Sequence, residues 1–80
     1  MQNATPLVTR VMYTQGESRN VAGLEYHPAT STVVVTYRSG PSYRYFDVTP
    51  EEWGDALDTP RIGRWVSAVL QRPGRRYERV

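Results

Sequence analysis

Eighty residues make one domain with a thin core, because a chain this short buries only about 60–65% of the surface its unfolded form exposes. Cysteine is absent and His27 is the one histidine, which excludes disulfides, thiolate metal sites and an imidazole-rich zinc centre, so neither metal nor cofactor is expected. The net charge is +2, too small for strong nonspecific duplex binding, and it is unevenly spread. All ten basic residues are arginine, whose guanidinium fork binds phosphate bidentately and stacks on rings. Residues 1–44 sum to +2, residues 45–60 to −5 and residues 61–80 to +5, a segregation that implies either a partner surface or internal pairing. No apolar run approaches the roughly 20 residues of a membrane span. Met1 to Pro6 has neither a basic stretch nor an apolar core, so a cytoplasmic protein is expected, or a virion component if phage-encoded.

In chain order, Ala4 to Tyr13 reads as a possible strand with imperfect alternation. Asn20 to Tyr26 reads as a second strand with Ala22, Leu24 and Tyr26 on one face and Val21 on the other. His27-Pro28-Ala29-Thr30 suits a type I turn, with proline at its second position. Thr32 to Arg38 is β-branched and aromatic almost throughout and is the clearest strand, with Val33, Val35 and Tyr37 sharing a face. Ser39-Gly40-Pro41-Ser42 closes a hairpin onto Tyr43 to Val48. Thr49-Pro50-Glu51-Glu52 starts a helix that runs to about Asp58: Thr49 caps, Pro50 takes the first position, Glu52 completes a capping box, and Val48 with Trp53 are spaced as a hydrophobic staple. Thr59-Pro60 repeats the cap-plus-proline device. A second helix from Arg61 to about Gln71 carries Ile62, Trp65, Val66, Val69 and Leu70 as one apolar stripe, and Pro73-Gly74 ends it. The basic tail from about residue 73 reads as extended.

The succession "NVAGLEYHP", "TVVVTYRSGPSYRYFDV", "TPEEWGDAL" and "IGRW" resembles the KTSC domain, named after the C-terminus of some lysyl-tRNA synthetases and also found alone in small bacterial and phage proteins. The Y-x-Y element is Tyr43-Arg44-Tyr45, preceded by Tyr37-Arg38-Ser39-Gly40, and a later S-x-G-x-[FY] element corresponds to Arg61-Ile62-Gly63-Arg64-Trp65. Arg61, Ser67 and Gln71 depart from the pattern, which usually has Ser, Asn and a basic residue there. The resemblance spans residues 19–80, leaving 1–18 as an extension suited to an extra strand or a partner-binding arm. It implies an α+β domain, a small antiparallel sheet of three or four strands with a central hairpin followed by two short helices. RNA binding has been suggested for that family, and the resemblance brings no catalytic residues.

Three groups could carry function. Tyr43 and Tyr45, interleaved with Arg44 and Arg38, resemble a platform on which single-stranded bases stack; alternatively both rings are core. Arg61, Arg64, Arg72, Arg75, Arg76 and Arg79 could form a phosphate-contacting strip, or else a solvated flank or partners for the acidic first helix. Gly63, near a helix start, could admit an anion, or simply let the helix pack closely on Tyr43 or Tyr45. His27 reads as a turn residue, and Glu51 and Glu52 as helix N-terminal residues. With no cysteine, no lysine and no second histidine, a nucleophile with its base is not assembled, so no enzyme is expected. The expected function is a non-catalytic binding module for RNA, single-stranded nucleic acid or a nucleotide-like anion. The alternatives are an assembly protein acting through homo-oligomeric or phage-protein contacts, and sequestration of a nucleotide signal.

Overall fold

A computed structural model describes residues 7–80. Five strands form one antiparallel sheet in sequential order: β1 (Thr9–Met12), β2 (Val21–His27), β3 (Thr32–Tyr37), β4 (Ser42–Tyr45) and β5 (Tyr77–Arg79). Between β4 and β5 the chain makes α1 (Pro50–Asp58) and α2 (Ile62–Trp65), the latter running on as a π-helical segment, Val66–Leu70. Both helices cover one face of the sheet. The core lies between, built from Val21, Leu24 and Tyr26 of β2, Val33 and Val35 of β3, Tyr45, Val48, Trp53, Ala56 and the apolar stripe Ile62, Trp65, Val66 and Leu70. The expected α+β architecture is therefore present, with one strand more than the sequence suggested, since the basic tail pairs with β4. None of the described helices is long and apolar enough to cross a membrane.

The capping signals for α1 are realised, with Thr49 at the cap and Pro50 in the first turn. Thr49 Oγ1 accepts from the Glu52 N–H at 3.1 Å, and Glu52 Oε1 accepts from the Thr49 N–H at 3.0 Å, closing the capping box. Trp53 stacks on Tyr26 with ring centroids 5.2 Å apart and planes 18° from parallel. The second cap forms differently. Thr59 Oγ1 accepts from the Arg61 N–H at 3.1 Å, so Arg61 occupies the cap position without a side-chain bond of its own, and α2 begins one residue later than expected.

Three strand expectations are corrected. The first strand is shorter than read: β1 covers Thr9–Met12, and the start expected at Ala4 lies outside the described residues. In β2, Val21 is only 1% exposed, not on the open face. The pairing shifts between Val21↔Tyr37 and Gly23↔Thr36, so Ala22 is an extra residue; this bulge reverses the alternation and points Val21 and Leu24 to the same side. The strand expected to run to Val48 stops at Tyr45 instead. Asp47 takes φ +60°, turning the chain so that Val48 enters the core and its carbonyl accepts from Tyr26 Oη at 2.9 Å.

The glycines separate cleanly by environment. A methyl group at Gly54 of α1 meets nothing within 4 Å, and at Gly63 only Ser18 Oγ at 4.0 Å, so neither glycine is needed for packing. At Gly23 the same methyl would lie 3.1 Å from the Val11 carbonyl and 3.0 Å from Met12 Sδ. Gly54→Ala and Gly63→Ala are expected to stabilise by up to about 1 kcal/mol each through helix propensity, and Gly23→Ala to destabilise by about 1–3 kcal/mol through overpacking of β1 on β2. Thermal unfolding followed by far-ultraviolet circular dichroism reads both signs.

Candidate ligand-binding cleft

Where β4 and β5 meet the end of the π-helical segment, the structure leaves an open cleft of about 390 Å³. Four tyrosines line it: Tyr37 from β3, Tyr43 and Tyr45 from β4, and Tyr77 from β5. They share the helix-facing side of the sheet because strand side chains alternate, and the register Tyr45↔Tyr77 sets two of them across from each other. The rings touch in sequence, with centroids 6.0 Å apart for Tyr37–Tyr43, 6.1 Å for Tyr43–Tyr77 and 5.8 Å for Tyr45–Tyr77. Tyr45 forms the floor at 5% exposure, while Tyr77 is 61% exposed and forms the open wall. Leu70, Gln71, Arg72 and Arg75 close the helix side.

The hydroxyls at the floor are tied together. Gln71 Nε2 donates to Tyr37 Oη at 2.9 Å, and Tyr37 Oη lies 3.0 Å from Tyr45 Oη. Burial, followed by the bond with Tyr45, pushes the Tyr37 hydroxyl far above its ordinary value of 10, so it stays neutral and available as a hydrogen-bond partner. The π-helical segment sets Gln71 in place, its N–H bonding the Val66 carbonyl five residues back. Such segments recur at functional sites because they re-aim the side chains beyond them.

Arg75 holds the cleft's far side. Its side chain is 2% exposed, and its five N–H donors are all used. Nε and Nη2 donate to the Val69 carbonyl, Nη1 to the carbonyls of Phe46 and Asp47, and Nη2 to the Glu52 carboxylate at 2.8 Å. Glu52, itself 20% exposed, also faces Arg72 at 3.4 Å, whose side chain is 54% exposed. Two guanidinium groups against one carboxylate leave one positive charge uncompensated at the rim, on the Arg72 side.

The structure brings together only part of the expected site. Tyr43, Tyr45, Arg72 and Arg75 share the cleft. Arg44 projects from the opposite face of the sheet and pairs with Glu78 at 2.6 Å, as Arg10 pairs with Glu25 on that same face. Arg76 lies over the Phe46 ring at 4.2 Å. Arg61, Gly63 and Arg64 belong to the start of α2, where Gly63 faces Ser18 rather than Tyr43 or Tyr45, at the opposite end of the helical segment from Arg72. The single strip of arginines expected from the sequence is thus dispersed, because the chain turns back after the helix to form β5. Arg75 is corrected in particular: its donors are consumed inside the protein, so it positions the tail. Tyr37, Tyr77 and Gln71 were missed. The signal for Tyr77 was present, since "RRYERV" alternates as a strand, but nothing local says which strand it joins. Among the described residues, no group of three or more His, Asp or Glu side chains is placed to hold a metal.

Arg75→Met removes a buried charge and leaves three carbonyls and Glu52 short of donors, so a loss of about 3–5 kcal/mol is expected, read as a lowered urea midpoint. For Glu52, burial opposes ionisation, but the Thr49 N–H, Arg75 and Arg72 outweigh it and hold the carboxyl below its ordinary value of 4.5. A carboxyl with a depressed folded-state value stabilises the protein above its unfolded-state value and loses that contribution as pH falls through the folded one. Glu52→Gln is therefore expected to be less stable than the parent at pH 7, and the gap to narrow progressively below pH 4.5. Urea denaturation across that range measures it.

The sequence profile of the KTSC domain matches residues 17–72. That span includes Tyr37, Tyr43, Tyr45, Gln71 and Arg72, and stops before Arg75 and Tyr77. A protein of Tsukamurella paurometabola is 29% identical over 55 residues, covering 69% of this chain and 82% of its own length. The crystal structure of a KTSC domain protein of Yersinia pestis superposes with a TM-score of 0.78 at 15% identity, covering 92% of this chain and 99% of that one, a likeness of fold. With the profile spanning well over half of its residues, this chain belongs to the KTSC domain family.

Proposed function

We propose that the chain is a non-catalytic module that binds single-stranded RNA or a nucleotide in the tyrosine cleft. The observation that supports this best is the pairing of an open aromatic wall, Tyr77, with the uncompensated positive charge at Arg72. Bases stack on such rings whatever their sequence, each stack contributing about 1–3 kcal/mol. The tyrosines already touch one another, so a base lies against the cleft's open side and is not threaded between rings.

Fluorescence anisotropy with labelled single-stranded RNA and DNA, and with nucleotides as competitors, tests the reading at low salt. Tyr77→Ala is expected to weaken binding by about 5- to 150-fold, the loss of one stack. Arg44→Gln, on the opposite face, is expected to leave it unchanged. If the parent protein binds none of these ligands saturably, the reading is wrong.

A second reading is favoured by a different surface. The edge strand β1 exposes Met12, and Leu7 and Val8 just before it are exposed as well. Open apolar edges recruit strands from neighbouring chains, which suits an assembly protein. An oligomer that persists in high salt without nucleic acid, seen by light scattering, would support this alternative.

A further inference from the structure

The ligand's size and charge can be taken further than its class. Resting on the reading that the cleft takes a nucleotide, we infer that it accepts one mononucleotide unit, a nucleoside bearing a single phosphate, either free or at the end of a strand, and not the middle of a strand. The base lies on Tyr77 and the phosphate meets Arg72.

The first ground is space. A volume of about 390 Å³ falls at the small end of the roughly 300–1,000 Å³ range of small-molecule sites. The second is the distribution of charge. A strand bound through its middle needs a row of cations that follows successive phosphates. Here Arg44 and Arg10 are paired on the far face, Arg76 is on Phe46, Arg75 is saturated, and Arg61 and Arg64 sit at the other end of the helix. Three cations remain near the rings, of which Arg19 lies beyond Tyr37 in a separate hollow shared with Asn20 and Arg38. Arg72 borders the cleft, and Arg79 stands opposite Tyr43 on the same face of the sheet, without an ion pair among the described residues. That is enough for one phosphate group and no continuous track. The third ground is polar capacity. Gln71 gives an N–H to Tyr37, and its side-chain carbonyl oxygen is left to accept from a base edge, alongside the hydroxyls of Tyr43 and Tyr77.

The test uses the full chain and a labelled 5′-phosphorylated single-stranded RNA, challenged with nucleoside monophosphates, the matching nucleosides, inorganic phosphate and the same RNA unlabelled, with and without its 5′-phosphate. The monophosphates are expected to displace the probe completely, and the nucleosides and inorganic phosphate at least about tenfold less well, a difference of one charge-assisted contact. The log–log salt slope is expected between about −0.7 and −1.4, one or two phosphate contacts on a single strand. Arg72→Gln is expected to erase the preference for monophosphate over nucleoside while leaving the circular dichroism spectrum unchanged. Equal displacement by free monophosphate and by phosphorylated RNA assigns the site to free nucleotides; stronger displacement by the RNA assigns it to strand ends. A probe that binds with a slope steeper than about −3 and is not displaced by monophosphates overturns this inference while the binding-module reading stands. Absence of binding by every ligand overturns both.

Discussion

A single buried guanidinium connects the parts of this domain. Arg75 bonds to the end of the second helix through Val69, to the chain leaving β4 through Phe46 and Asp47, and to α1 through Glu52. Removing a charged side chain from water is costly unless its donors are matched, and here all are. Because the acceptors come from separate elements, the bonds form together only when those elements are in their native relation. The residues that follow are then delivered to β4, where the Phe46 N–H donates to the Arg76 carbonyl and Tyr77 pairs opposite Tyr45. The clasp fixes where the fifth strand begins, and with it the outer wall of the cleft.

Six of the ten arginines that composition presents as one class take three distinct physical roles. Arg75 and Arg38 are internal: Arg38 donates to the carbonyls of Tyr13, Ser18 and Val21, holding the loop before the β2 bulge. Arg10, Arg44 and Arg76 decorate the face of the sheet away from the helices, paired with Glu25 and Glu78 or laid over Phe46. Arg72 stands at the cleft with only a shared claim on Glu52. The same guanidinium chemistry serves each role, and what separates them is how many acceptors surround each fork.

The aromatic residues divide in a similar way. Tyr26 and Trp53 stack inside the core, and Tyr45 is buried with its hydroxyl facing Tyr37. The π-helical end of α2 places Gln71 at that pair, so the floor of the cleft is hydrogen-bonded as well as apolar. Within the span matched to the KTSC family, the floor is complete; the wall made by Tyr77 comes from the residues after it.

Much of this was written locally. The capping box at Thr49 and Glu52, the apolar stripe of the second helix, the β-branched third strand and the Pro28 turn all depend on residues within a few positions of each other, where periodicity and turn chemistry decide the outcome. The order of the KTSC-like elements and the α+β class were legible for the same reason. Other features required the folded chain. The β2 bulge that turns Val21 inward depends on the register with β3, and the +60° φ at Asp47 is held by contacts from Arg75. Whether Tyr43 and Tyr45 are open or buried, and which arginines remain free, depends on where the tail returns. Those properties belong to contacts between residues far apart in the chain, such as Glu52 with Arg75, 23 positions on, and Tyr45 with Tyr77, 32 positions on, and a one-dimensional pattern carries no record of which distant partner a side chain meets.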